Sequence, residues 1–191
     1  MRAAGVIALV AAAALAVAAG GTIAVQVGRI ADTSAPAGVP ATTPEQGAPE
    51  RVTIPAIGVD AQLVPVGLKG DGAVETPRFG LAGWYEPGPR PGDRGAAVLL
   101  AHVDSKADGP DVFYRLHELK RGDRVRVGYH DATATFVVTD TEQVDKSALP
   151  TKRIWAATKR PVLRLITCGG EFDPAARSYR DNVIVYADRL G

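Results

Sequence analysis

From Arg51 onward the chain is a series of short apolar and β-branched runs, broken at close intervals by Gly, Pro and Asp. Runs of that length and composition read as strands, and the breaks between them are too frequent for long helices. Eight can be marked: Arg51 to Ile57, Ala61 to Val66, Leu81 to Tyr85, Ala96 to Ala101, Arg124 to Tyr129, Thr133 to Glu142, Val162 to Thr167 and Asn182 to Asp188. Turn chemistry lies between them in Gly58-Val59-Asp60, Lys69-Gly70-Asp71-Gly72, Arg121-Gly122-Asp123 and His130-Asp131. Many short strands at this spacing predict an all-β closed barrel or sandwich. Helix is expected only as a short turn near Val112 to Leu119 and at Thr151 to Ala157, opened by Pro150. Two runs, Ala96 to Ala101 and Leu163 to Ile166, lack polar alternation and are expected as central strands covered on both faces.

The N-terminus is different material. No charge falls between Ala3 and Val27, a stretch long enough to cross a bilayer core as a helix, with Arg2 before it and Arg29 after it. Leu15 to Ala19 resembles the small-residue end of a secretory signal, but the apolar run continues from Thr22 to Val27. Residues 1–30 are therefore expected as an uncleaved signal anchor. Residues 31–50, rich in Ala, Pro and Thr, cannot bury enough surface to fold and are expected as a linker. This leaves 51–191 as the folded domain. The predicted location is the cell membrane, single-pass, with that domain outside. A formal charge of +1, from 22 basic and 21 acidic residues, gives no reason to expect a nucleic-acid partner.

Chemistry is concentrated in few residues. The chain has one cysteine, Cys168, delivered by Leu163-Arg164-Leu165-Ile166-Thr167 to a Gly169-Gly170 pair. A lone thiol outside the cytoplasm has no internal disulfide partner, and the glycines are expected to leave room beside the sulfur. The competing assignment is a packed, inert cysteine. Among three histidines, His130 sits in a turn and His117 lies among packing residues, where a structural role is expected. His102 directly follows the apolar run Ala97 to Ala101. Two strand ends brought to one rim would pair Cys168 with His102, and nearby positive charge would favour the thiolate. An arginine to hold a developing oxyanion is available at Arg177 or Arg180. Asp104 is either an orienting partner for His102 or a turn residue; Trp84 and Tyr85 either shape a groove or form a core pair.

These residues resemble a known family. Leu165-Ile166-Thr167-Cys168 is similar to the end of the sortase signature Thr-Leu-any-Thr-Cys, with Arg164 in the first position, and Leu100-Ala101-His102-Val103-Asp104-Ser105 resembles that family's histidine strand. The text Gly83-Trp84-Tyr85-Glu86-Pro87-Gly88-Pro89-Arg90-Pro91-Gly92, together with Cys168-Gly169-Gly170-Glu171-Phe172-Asp173 and Tyr179-Arg180-Asp181-Asn182, is similar to the actinobacterial class F group. Aligning Ala187 with the alanine closing the family's last strand puts the usual arginine position on Asn182. Strand alternation then places Arg180 on the same face, so Arg180 is the expected catalytic arginine, Arg177 the alternative and Asn182 an auxiliary donor.

The resemblance implies an eight-stranded β-barrel and a cysteine transpeptidase. Cys168 would be the acyl-thioester nucleophile and His102 the general acid and base, with Thr167, Asn182 and Trp84 binding substrate. The segment Val144 to Ala157 stands where the family has a substrate-recognition loop. Implied partners are secreted proteins with a C-terminal Leu-Pro-any-Thr-Gly-like motif and an amine acceptor such as a peptidoglycan precursor. No cofactor and no metal are implied. The rival readings are a thiol hydrolase of the same fold, an extracellular β-barrel binding module, and an L,D-transpeptidase. The last is disfavoured because no histidine follows His130.

Overall fold

The structure, a computed structural model, describes residues 47–191. The expected signal anchor and most of the expected linker lie outside the described residues. Among the described residues no helix is long and apolar enough to cross a membrane.

Ten strands form: β1 (Arg51–Ile54), β2 (Val59–Val66), β3 (Ala82–Tyr85), β4 (Gly95–Leu100), β5 (Asp104–Ser105), β6 (Gly109–Pro110), β7 (Arg124–Gly128), β8 (Thr133–Asp145), β9 (Pro161–Asp173) and β10 (Ser178–Arg189). Eight of them close a barrel in the order β1-β2-β3-β4-β9-β10-β8-β7, while β5 and β6 make a separate small hairpin. Six pairings around the barrel are antiparallel; β2 with β3 and β4 with β9 are parallel. Parallel neighbours require long connections. The second of these, running from β4 to β9, carries β5 through β8 and so encloses much of the domain.

The pattern of apolar residues follows from this closure. On β7 and β8, Val125, Val127, Ala134, Phe136 and Val138 point into the barrel and alternate with residues facing solvent. On β4, on β9 from Val162 to Gly169 and on β10 from Asn182 to Ala187 both faces are buried. Ala97, Leu99, Leu163, Leu165, Val183 and Val185 fill the barrel interior. Val98, Leu100, Ile166, Cys168, Ile184 and Tyr186 face outward under a second apolar layer. That layer is supplied largely by the segment after β8, which contributes Leu149, Ile154 and Trp155. The missing alternation in these runs thus reflects a strand with a core on each side.

Helix is as sparse as the turn density requires. It amounts to α1 (Thr151–Ile154), preceded by Pro150, and 3₁₀ turns at Pro55–Ile57, Leu116–Glu118 and Lys146–Ala148. The helix stops before the expected Ala157, at Trp155, whose ring meets Tyr85 edge-on at 5.0 Å. Arg164 explains how the covering segment is held. Its guanidinium lies 4.7 Å from the Tyr186 ring centroid, with Arg153 of α1 at 3.6 Å from the same ring. Arg164 also donates to the carbonyls of Leu163 (3.0 Å) and Arg153 (3.4 Å). The arginine in the first signature position therefore ties α1 to the barrel wall, a task the threonine's short side chain is not built for.

Phe136 is fully buried at the barrel centre. Phe136→Ala is expected to lower unfolding stability by about 3–5 kcal/mol, measured by urea denaturation, because the closed barrel cannot collapse onto the lost ring.

Candidate active site

The site is built outward from β9. Cys168 faces the outer layer and is 6% exposed. It does not end its strand as the sequence suggested, because β9 continues to Asp173. Across the ladder Cys168 pairs with Asn182 of β10, which in turn pairs with Val144 of β8, making a three-residue row over the sheet.

The glycine pair has a different purpose from the one expected. A Cβ on Gly169 would meet Val183 Cγ2 at 2.7 Å, and one on Gly170, where φ is +75°, would run into the Asp181 carboxylate. Both glycines are thus needed for the close approach of β10. The glycines permit a bulge: Tyr179 pairs with Phe172 while Asp181 pairs with Gly169, so two residues of β9 oppose Arg180 alone.

That bulge overturns the alternation argument for the arginine. Tyr179, three residues before Asn182, packs with the layer containing Cys168. Arg180 swings outward, with its side chain 56% exposed and ion pairs to Glu171 (3.5 Å) and Asp173 (3.6 Å). Arg177 instead lines a cavity of about 290 Å³ together with His102, Asp104, Cys168, Ser178 and Tyr179. It has φ +53°, the one left-handed non-glycine residue among those described. Such a backbone costs about 1 kcal/mol and is characteristic of functional sites. The Asp173 carboxylate shapes the turn by accepting the N–H groups of Ala175 (2.9 Å) and Ala176 (3.1 Å).

His102 lies two residues beyond β4 and is 9% exposed. Its Nε2 is 3.0 Å from the Pro77 carbonyl and its ring stacks on Phe79 at 4.2 Å and 10°. A carbonyl only accepts, so Nε2 carries the hydrogen. Nδ1 is then the nitrogen free to exchange protons. Asp104 does not orient the imidazole: its Oδ2 accepts from Tyr179 Oη at 2.7 Å. Burial, followed by that hydrogen bond, pushes the Tyr179 phenol up to about 12.

Thr167 and Trp84 do not line the cavity. Thr167 turns inward and its Oγ1 donates to Ala101 O at 2.8 Å, joining the residue before Cys168 to the residue before His102. Trp84 is a core residue whose Nε1 donates to Pro89 O at 3.2 Å. Asn182 is fully buried, and neither its amide nitrogen nor its oxygen has a partner among the described residues. Of the other histidines, His130 is exposed in its turn, and His117 is exposed rather than packed.

One residue at the site escaped the sequence reading. Lys146, just past β8, donates at 2.8 Å to the Oγ of Ser178, a residue that lines the cavity. Nothing in its local text marks it, because its position depends on β8 and β10 pairing beside the thiol. Burial pushes the Cys168 thiol above its ordinary range; Lys146 opposes this by charge and hydrogen bond, and Asp104 adds to the rise.

The arrangement, a strand thiol with an imidazole and a guanidinium around one cavity of a closed β-barrel, is that of a thiol acyl-transfer enzyme. A family model described as a sortase domain matches residues 52–190. The chain belongs to the sortase family, which supports a cysteine transpeptidase. No match was found among curated proteins. Solved structures with a similar fold include sortase C-1 from Actinomyces oris, with 21% identity over 74% of this chain and 71% of that one and a TM-score of 0.60. Sortase A from Corynebacterium diphtheriae gives 17% identity over 77% and 62%, also with a TM-score of 0.60. The Group B Streptococcus Pilus Island 1 sortase C2 gives 22% over 74% and 73%, with a TM-score of 0.57.

Two measurements test this geometry. Because burial raises the thiol, alkylation of Cys168 should still be accelerating above pH 9, beyond the midpoint of an exposed cysteine; a midpoint near 8.5 would contradict the buried setting. Thr167→Val should cost about 1 kcal/mol and lower kcat/KM for acyl transfer without moving that midpoint, since it loosens the tie between the two strand ends and leaves the charges unchanged.

Proposed function

We propose that this chain is a membrane-anchored sortase of the class F type, with residues 1–30 as the anchor, 31–50 as the tether and 51–191 as an extracellular catalytic domain. It cleaves a Leu-Pro-any-Thr-Gly-like motif in secreted proteins and transfers the new C-terminus to a cell-wall or protein amine. The observation that carries the reading is that Cys168, His102 and Arg177 line one cavity.

The chemistry follows from those three groups. The Cys168 thiolate attacks the Thr-Gly carbonyl carbon, and the electron pair of the C=O bond moves to oxygen. Arg177 holds that oxyanion with its fixed fork of donors. As the intermediate collapses the C–N bond breaks, and His102, protonated at Nδ1, gives its proton to the departing glycine amine. An acyl-thioester on Cys168 remains. The incoming amine then loses a proton to Nδ1, attacks the thioester and expels the thiolate. Asn182, fully buried and cross-strand from Cys168, supports the floor under the thiol and does not line the cavity itself.

Cys168→Ala should reduce cleavage of a fluorogenic sorting-motif peptide by roughly a thousandfold or more; near-normal turnover in that variant would end the proposal. Arg177→Ala should lower kcat/KM by roughly a hundredfold, whereas Arg180→Ala should stay within about fivefold of the parent, the scale of an exposed ion pair. Mass spectrometry of products formed with candidate amines separates transfer from hydrolysis.

A further inference from the structure

The imidazole of His102 is held on two sides by one loop, the segment between β2 and β3. Pro77 O accepts the Nε2 hydrogen at 3.0 Å, and the Phe79 ring lies over the imidazole at 4.2 Å and 10°. Neither contact comes from the barrel wall. Phe79 is itself 37% exposed, so core packing does not fix its place. It sits in a tight turn, closed by Leu81 N–H on Arg78 O at 3.1 Å, with Gly80 at φ +79° in the third position. A turn with positive φ at that position calls for glycine and sets the local path of the chain. It does not set where the turn lies against His102.

Asp111 supplies that tie. Its Oδ1 accepts the Gly80 N–H at 2.8 Å, across 31 positions of the chain. Its own N–H donates to Val103 O at 2.8 Å, and Phe113 N–H donates to His102 O at 3.1 Å. The strip from Asp111 to Phe113 thus continues the β5–β6 hairpin alongside the backbone of Val103 and His102. Phe113 is fully buried in the barrel core and anchors the strip without help from the Asp111 side chain. One residue therefore joins the main chain that carries the imidazole to the loop that covers it.

We propose that Asp111 is a positioning residue for His102: by holding the Phe79–Gly80 turn it keeps the Pro77 carbonyl on Nε2 and so leaves Nδ1 as the nitrogen that exchanges protons. A neutral imidazole carries its hydrogen on either nitrogen, and the partner of one nitrogen decides which. The Pro77 carbonyl only accepts, so it selects the Nε2–H form for as long as it stays within hydrogen-bond reach. Released from Asp111, the turn takes Phe79 and the carbonyl away together, and the imidazole loses its orientation and its fixed tautomer. The inference rests on the transpeptidase reading for its purpose and on the hydrogen bonds alone for its existence.

The test reads the tautomer directly, by nitrogen NMR of the histidine-labelled full-length chain in detergent at about pH 8.5, where an ordinary imidazole is neutral. His117 and His130, both exposed, are replaced by Gln so that the remaining signal is that of His102. The parent should show a hydrogen-bearing Nε2 and a bare Nδ1, whose resonances lie far apart. In Asp111→Ala the two should move toward each other as the tautomers mix. For a sorting-motif peptide, kcat should fall about five- to tenfold in that variant with KM within about twofold of the parent. Asp111→Ser, too short to reach Gly80, repeats the test with a polar side chain and should match Asp111→Ala. Asp111→Asn, which keeps an acceptor for Gly80, should restore both the resonances and kcat. A purely structural Asp111 would lower Tm and leave the resonances in place, and that result in Asp111→Ala and Asp111→Ser would overturn the proposal. Parent-like resonances in Asp111→Glu with displaced ones in Asp111→Asn would overturn it too, because charge and not the position of the acceptor would then be acting. The spectra need no sorting peptide, so failure of this inference and failure of the transpeptidase reading appear in separate measurements.

Discussion

The pairing of β9 with β10 is the constraint on which the rest of this structure depends. Their central parts are buried on two faces, so their inward residues complete the barrel while their outward residues form the floor of the site. Register is rigid under such conditions, because a one-residue slip would exchange the two apolar layers and drive Asn182 into the barrel core. Thr167 adds a lateral tie to Ala101, at the point where β4 gives way to His102. The thiol is therefore carried by β9 itself, and the imidazole stands two residues beyond the adjoining β4, next to the residue that this bond ties down.

Against that rigid floor the bulge at Gly170 introduces a local change of face. It brings Tyr179 over to the Cys168 face and lets the chain turn so that Arg177 meets the cavity. A positive φ at a residue with a side chain is tolerated because Asp173 fixes the turn through two backbone N–H groups. The electrostatic balance is similarly local. Burial opposes a negative sulfur, a single ammonium offsets part of that cost, and Asp104 is occupied by a phenol.

Much of the fold was legible in the sequence. All eight strand runs appear in the barrel, since hydrophobic alternation and turn residues act over only a few positions. The non-alternating runs at Ala96 to Ala101 and Leu163 to Ile166 correctly indicated two-sided burial. Cys168 and His102 were visible because each follows an apolar run and each is scarce. The arginine was not. Alternation pointed to Arg180, and alternation fails at a bulge, whose presence depends on how β9 and β10 fit together. Trp84 was ambiguous for a related reason: an aromatic pair on a strand puts one ring on each face, and only closure of the barrel decides which face is core.

By itself, then, the sequence determined the β-rich class, the strand positions, the family resemblance and the choice of Cys168 as the candidate thiol, all of which are recorded in local pattern or in rare residues. The tertiary structure decided which cations are set around that cysteine. Arg177 and Lys146 are separated from Cys168 by nine and twenty-two positions in the chain, and no periodicity connects them to it. They arrive because the bulge reverses a face and because β8 pairs with β10 beside the thiol. Contacts of that kind depend on register and on charge in a dry cavity, which exist only once the barrel has closed.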